Sequence, residues 1–273
     1  MKTLIINSTN VVSGSNNSRF RYSFKGGGYN IRKGDQLAVA SVSIPYSFFN
    51  ITTANNNFSF SYSFNAVNYP VALTSGFYTL EDINYALQQV FIANGHYTLT
   101  ASGLNNYYGQ IVYNTSYYAV EWDAFPITLP SGGTNPNAIV LSGNTPLLLL
   151  NTNNFGLLIG FVAGASYPPV VQITNYQKLS TFTPNLTPIN SLVINCNVVN
   201  NDQSITPNSV LAFSPNTTFG SAIIVNPSQY IFIDCQAGSY TSLDIFFTDQ
   251  NGAAIVCQDP NICIQLALKN VIE

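Results

Sequence analysis

The groups able to move a proton near neutral pH are few in this chain: one histidine, His96, and eleven acidic side chains. Glu121 and Asp123 flank Trp122, the only tryptophan. Two carboxylates beside an aromatic platform would suit glycoside hydrolysis. On a strand, positions i and i+2 share a side, so the pair could form, although alternating acids also make an ordinary solvated face. His96 follows Gly95 at the end of a predicted helix, where the backbone dipole favours a partly charged ring. A triad would need a marked nucleophile as well, and no Gly-x-Ser-x-Gly elbow occurs. Cys196, Cys235, Cys257 and Cys263 lack a CxxC pair or a neighbouring histidine, so they read as buried free thiols in strands rather than zinc ligands. Asp249-x-Asn251-Gly252 has the start of a calcium loop, but Pro260 stands where the loop needs its last glutamate. Gly26-Gly27-Gly28 lacks the Lys-Ser/Thr of a phosphate loop. No catalytic, cofactor-binding or metal-binding residue is assigned, and the chain reads as a non-enzyme with no small-molecule substrate.

The elements that would carry these residues are mostly strands. Period-2 patterns of β-branched and aromatic residues recur at 19–24, 36–44, 58–62, 110–113, 117–121, 155–161, 192–198, 210–213, 222–225, 240–248, 253–257 and 262–268. Over 36–44 the pattern sets Leu37, Val39 and Ser41 on one side. Asn251-Gly252 predicts a type I′ turn in the closing hairpin. One helix is predicted at about 80–91, with Thr79 as N-cap, Asp82 three residues on, and an apolar stripe of Ile83, Leu87 and Val90 with Tyr85 beside it. The segment at about 99–146 reads as a loop-rich insertion. The fold class is therefore all-β, an antiparallel β-sandwich with one short helix. Pattern alone does not separate one sandwich topology from another.

Charged residues make up 7% of the 273 positions, against 13% aromatic. Soluble domains average roughly 25% charged, so a surface this neutral points to one covered by other chains. Net charge is −3, which does not favour nucleic acid as a whole-protein partner. Six of the eight basic residues, Lys2, Arg19, Arg21, Lys25, Arg32 and Lys33, lie near the N-terminus. They are candidates for contacting a partner, and residues 1–18 read as a basic N-terminal arm. The apolar run at 4–6 is too short for a signal peptide, and the run at 155–165 is too short to cross a bilayer.

Several segments, in order, resemble the minor capsid, or penton, protein of polinton-like viruses and virophages. They are Ala40-Ser41-Val42-Ser43-Ile44-Pro45-Tyr46-Ser47-Phe48-Phe49-Asn50-Ile51 with Asn55-Asn56-Asn57-Phe58, then Ser75-Gly76-Phe77-Tyr78-Thr79-Leu80-Glu81-Asp82-Ile83-Asn84. Next come Leu158-Ile159-Gly160-Phe161, similar to an "LGF" strand, and Asp249-Gln250-Asn251-Gly252 with 262–268, similar to the closing hairpin. The resemblance implies a single jelly roll over residues 1–273. It also implies a homo-pentamer at the fivefold vertices of an icosahedral capsid, contact with a double jelly-roll major capsid protein, weak contact with the viral genome, and a place in the virion. Longer relatives carry a substantial extra domain, for which the non-strand length expected here, mainly around Leu99–Pro146, is too small. The alternative reading is a lectin-like or receptor-binding jelly roll that displays Tyr107, Tyr108 and Trp122 at loop tips.

Overall fold

The computed structural model describes residues 1–201 and 206–270. The backbone forms two compact units, Met1–Phe48 with Ile189–Glu273, and Phe49–Pro188. The chain begins with β1 (Lys2–Ile6), β2 (Arg19–Ser23), β3 (Tyr29–Ile31) and β4 (Gln36–Pro45). The second unit holds β5 (Ser59–Phe64), β6 (Val67–Ala72), α1 (Leu80–Ala93), β7 (Thr98–Leu99), β8 (Asn105–Asn106), β9 (Gly109–Asn114) and β10 (Ala119–Ala124). It continues with β11 (Leu147–Leu149), α2 (Phe155–Leu158), β12 (Ser166–Tyr167) and β13 (Tyr176–Leu179). The first unit then resumes with β14 (Leu192–Cys196), β15 (Ser209–Phe213), β16 (Ala222–Val225), β17 (Ile233–Asp234), β18 (Gly238–Tyr240), β19 (Ser242–Asp249) and β20 (Cys263–Lys269).

In the first unit, the main strands pair as one long hairpin folded on itself. β1 pairs β20, β2 pairs β19, β4 pairs β16 and β14 pairs β15, all antiparallel. Cross-pairs β20–β4 and β19–β14 complete two sheets, β1-β20-β4-β16 and β15-β14-β19-β2. Of the links between these eight strands in sequence, only β14 to β15 stays within a sheet. That nested pairing is the jelly roll, a double-sheet answer to the problem of exposed sheet edges. Each sheet buries an apolar face, with Leu37, Val42, Ile264 and Leu266 on one and Phe20, Ile194, Ile245 and Phe247 on the other.

Three details correct the expected pattern here. The β4–β20 register skips Ala40, since Ser41 faces Gln265 while Val39 faces Leu266. This bulge moves the inward phase by one residue, so Val42 and Ile44 follow Leu37 and Val39 into the core, while Ser41 hydrogen-bonds Gln265. The Asp249 turn does close a hairpin, pairing Thr248 with Ala254, but it does not lead into β20, which lies in the other sheet. Nor is it type I′. The Gly252 N–H donates to the Asp249 carbonyl, Gly252 has φ of 80°, and Asp249 Oδ1 accepts from the N–H groups of Asn251 and Ala253 at 2.8 Å. A carboxylate that closes its own turn favours the three-residue loop with a terminal left-handed glycine. Residues 1–18 are likewise not a free arm, since Lys2–Ile6 forms the edge strand on β20.

The second unit is inserted between β4 and β14. It has sheets β12-β11-β5-β6 and β13-β10-β9 and a small β7–β8 pair. Residues 99–146 therefore supply β8, β9 and β10 rather than loop alone. Helix α1 starts as its sequence dictates. The Asp82 N–H donates to Thr79 Oγ1 at 3.2 Å, and the Thr79 N–H donates to Asp82 Oδ2 at 2.9 Å. Leu80, Ile83, Leu87 and Phe91 are buried, while Tyr85 is exposed. The core gathers Phe60, Tyr62, Phe91, Tyr108, Trp122 and Phe155, with Phe60 stacked on Phe155 at 4.5 Å.

The "LGF" segment is a helical turn and not a strand. Gly160, with φ of 80°, donates its N–H to the Leu157 carbonyl, and Phe161 donates to that of Gly156. This is the Schellman closure. It drives Phe161 inward as the residue after the left-handed glycine. No helix among the described residues is long and apolar enough to cross a membrane.

Candidate functional site

Trp122 lies on β10 between β9 and β13 and is fully buried. Its ring reaches β9 where Gly109 has no side chain to obstruct it. Its Nε1–H has no hydrogen-bond partner. Asp123, buried on the opposite face of the strand, accepts from Gln110 Nε2 at 2.9 Å and Gln177 Nε2 at 3.2 Å. Glu121 accepts from Asn114 Nδ2 at 2.7 Å. Each carboxylate thus holds amides of neighbouring strands, and the aromatic platform points away from both. The pair cross-links a sheet and does not face a sugar. Tyr108 is equally remote from a loop tip: it is buried, shares a 2.7 Å bond with Thr98, and donates to the Thr128 carbonyl. Tyr107 is half-buried and stacks near Phe91. The residues meant to present aromatic rings to a glycan therefore build the core.

His96 is set by the end of α1. Gly95 takes φ of 69°, and the His96 N–H donates back to the Phe91 carbonyl at 2.8 Å, a second Schellman closure. The ring is carried inward, stacked on Phe64 at 4.1 Å with Tyr69 edge-on at 4.4 Å and its Nδ1 2.8 Å from the Tyr62 hydroxyl. Burial pushes the imidazole below its ordinary pKa, overriding the helix dipole expected to favour its charge. The neutral ring and the Tyr62 hydroxyl share a hydrogen bond at Nδ1. Unfolding returns the ring to its ordinary pKa, so the unfolded state binds the extra proton. Stability is complete above about pH 6.5 and is expected to fall toward the lower folded pKa, by up to about 1.4 kcal/mol per pH unit. Urea midpoints between pH 7 and 5 should show this slope in the wild type and lose it in His96→Gln; equal slopes would contradict it. Trp122 fluorescence reports the second unit alone, because no other tryptophan exists.

Cys196, Cys235 and Cys257 are buried, and burial pushes each thiol up to about 12, which leaves little reactive thiolate at neutral pH. Cys263, at the start of β20, is exposed, contrary to the expectation for all four. Cys235 and Cys257 also fall outside named strands.

The six N-terminal basic residues stand in different surroundings. Arg19 and Arg21 on the edge strand β2 both grip Asp244 on β19, at 2.7 Å each, and Arg21 adds a second contact at 2.9 Å. Bonding to Arg21, then Arg19, holds the Asp244 carboxyl below its ordinary pKa against the opposing effect of burial. Lys2 lies over the Tyr29 ring at 4.6 Å. Lys25, Arg32 and Lys33 occupy exposed turns beside β3. Replacing Asp244 with asparagine is expected to cost about 1–2 kcal/mol at pH 7, discounted because both guanidinium groups are half exposed. A depressed carboxylate stabilises above its unfolded pKa of about 3.9 and stops doing so as pH falls through the folded one. The gap between variant and wild-type melting curves should therefore close in acid; a gap that persisted would rule out the charge pairing.

Paired charges and buried rings leave a chain with little chemistry and much neutral surface. No charged residue occurs between Asp123 and Lys178, and the second unit carries only Glu81, Asp82, Glu121, Asp123 and Lys178. That uncharged stretch was readable in the sequence. What it exposes was not.

No family model and no curated protein matches the sequence. Among solved structures, the mavirus penton protein is similar at 12% identity and a TM-score of 0.47, over 99% of this chain and 98% of that one. A chain of the Sputnik virophage, solved by cryo-EM, is similar at 14% identity and a TM-score of 0.39, over the same shares. With likenesses this distant, the functional reading rests on the chain's own strand order and surface.

Proposed function

We infer that this chain is a structural subunit of an icosahedral viral capsid, of the penton type, five copies of which close a ring at each fivefold vertex. The observation that carries this reading is the nested pairing of β1 with β20, β2 with β19, β4 with β16 and β14 with β15. Jelly rolls serve capsids and lectins alike, so topology alone does not assign a role. Tyr108 and Trp122, two of the rings named for the lectin reading, are buried in the core. Five head-to-tail contacts close without leaving a free surface patch, and the cores of such contacts are depleted in charge. That accounts for a chain in which 7% of residues are charged. Contact with a major capsid protein, or with a polyanionic genome, would fall to Lys25, Arg32 and Lys33, the basic residues in exposed turns.

The test is co-expression with a double jelly-roll major capsid protein from the same virus, followed by imaging of the particles. Closed shells with this chain at their vertices are expected. Shells that close equally well without it, and never incorporate it, would overturn the assignment.

A further inference from the structure

Asparagine is followed by glycine at two places in the chain, Asn94-Gly95 and Asn251-Gly252. That dipeptide carries a chemistry of its own. The backbone nitrogen of the second residue can attack the asparagine Cγ, and glycine, without a Cβ, obstructs the approach least. A bond forms between the glycine nitrogen and Cγ, and the side-chain amide leaves as ammonia. The N–H proton is taken up by solvent base and made good on the departing nitrogen. A five-membered succinimide remains, and water opens it at either carbonyl to give aspartate or isoaspartate. Water is the only co-reactant, and nothing is oxidised or reduced.

The fold treats the two places differently. At the end of α1, Asn94 Nδ2 donates to the Val90 carbonyl at 2.8 Å, and the Gly95 N–H donates to the Ile92 carbonyl at 3.0 Å. Both residues sit inside the closure that carries the buried His96 ring inward, so moving them would unseat that ring. Asn137 carbon atoms lie 3.3 Å from the position a Gly95 Cβ would take, which leaves a succinimide little room. Asn251 and Gly252, in contrast, are both exposed. The Asn251 side chain has no hydrogen-bond partner among the described residues. Beyond the adjoining residues, nothing lies within 4 Å of the Gly252 Cβ position. The Gly252 N–H is held by the Asp249 carbonyl at 3.1 Å, and a backbone bond on an exposed turn opens at little free-energy cost.

We propose that Asn251 is a self-modifying site, converted in the folded chain to aspartate and isoaspartate, while the fold protects Asn94. Either product adds one negative charge to a chain whose formal net charge is −3. Isoaspartate also lengthens the backbone by one carbon within a turn that Asp249 Oδ1 organises through the N–H groups of Asn251 and Ala253. The same turn receives the N–H groups of Asn190 and Ser191 on Gln250 Oε1, so the change acts where the turn holds the segment leading into β14. The test incubates the full chain at pH 9, folded and in parallel unfolded in urea, and follows both sites by peptide mapping with mass spectrometry. Divided by its own unfolded rate, the folded rate of Asn251 should exceed that of Asn94 at least tenfold. A more acidic form should appear on ion exchange for the wild type and be missing from Asn251→Gln, whose longer side chain does not close the five-membered ring. A smaller difference between the two sites overturns the proposal. So does an Asn251 that stays intact in the folded chain, which would mean that the bond from Gly252 to Asp249 locks the turn. None of these outcomes depends on the capsid reading.

Discussion

Replacing Gly160 with alanine is expected to destabilise the second unit by about 3–4 kcal/mol. Two costs add. Gly160 holds φ of 80°, where an L-residue loses roughly 1–2 kcal/mol. Its missing Cβ would also overlap the Phe182 carbonyl oxygen, which is backbone and cannot rotate away. Overpacking of that kind costs about 1–3 kcal/mol. Moving the turn to relieve it would break the bonds from Phe161 to Gly156 and from Phe182 to Gly160, at 2.7 and 2.8 Å. Gly143 provides the control, with φ of 73° and open space around its Cβ position. Gly143→Ala should show the conformational cost alone. Urea titrations followed by Trp122 fluorescence would separate the two, and equal losses would mean that the Phe182 carbonyl does not crowd Gly160.

Trp122→Ala is expected to cost about 3–5 kcal/mol, the range for emptying a buried aromatic site. Trp122→Phe should cost at least about 2 kcal/mol less. Phenylalanine refills most of the space, and it removes an indole N–H that has no acceptor, a group whose desolvation otherwise costs about 1–3 kcal/mol. Far-UV circular dichroism gives the readout, since the fluorophore is gone. If Trp122→Phe proves as harmful as Trp122→Ala, the indole N–H makes a bond in solution and the ring's role is polar as well as apolar.

What the sequence disclosed followed the range of each signal. The Thr79–Asp82 box was legible because both partners lie within one turn, and the structure keeps it. The bulge at Ala40 was also written there, since apolar residues fall at 37 and 39 and then at 42 and 44, but strict alternation masked it. At Leu158–Phe161 a run of apolar residues suits a buried strand or a helical turn equally, and the left-handed glycine decides between them. The type I′ expectation failed because the Asp249 side chain, and not Asn251, organises that turn. The two-unit division had no signature. Both units are β-rich, and the chain passes from Phe48 to Phe49 and from Pro188 to Ile189 without a Gly- or Ser-rich linker. Strand order rests on pairs such as Lys2 with Leu268, too distant for any local pattern to specify. Charge was the reverse case. Its scarcity was plain in composition, whereas the capture of Arg19 and Arg21 by Asp244 needed the register of β2 on β19.

The most direct test of the penton reading is the mass of the purified chain in solution, by light scattering or native mass spectrometry over a concentration series. The account predicts a closed species near five times 29.7 kDa, with no continuous growth beyond it. A strict monomer at every concentration, both alone and mixed with the major capsid protein, would contradict it.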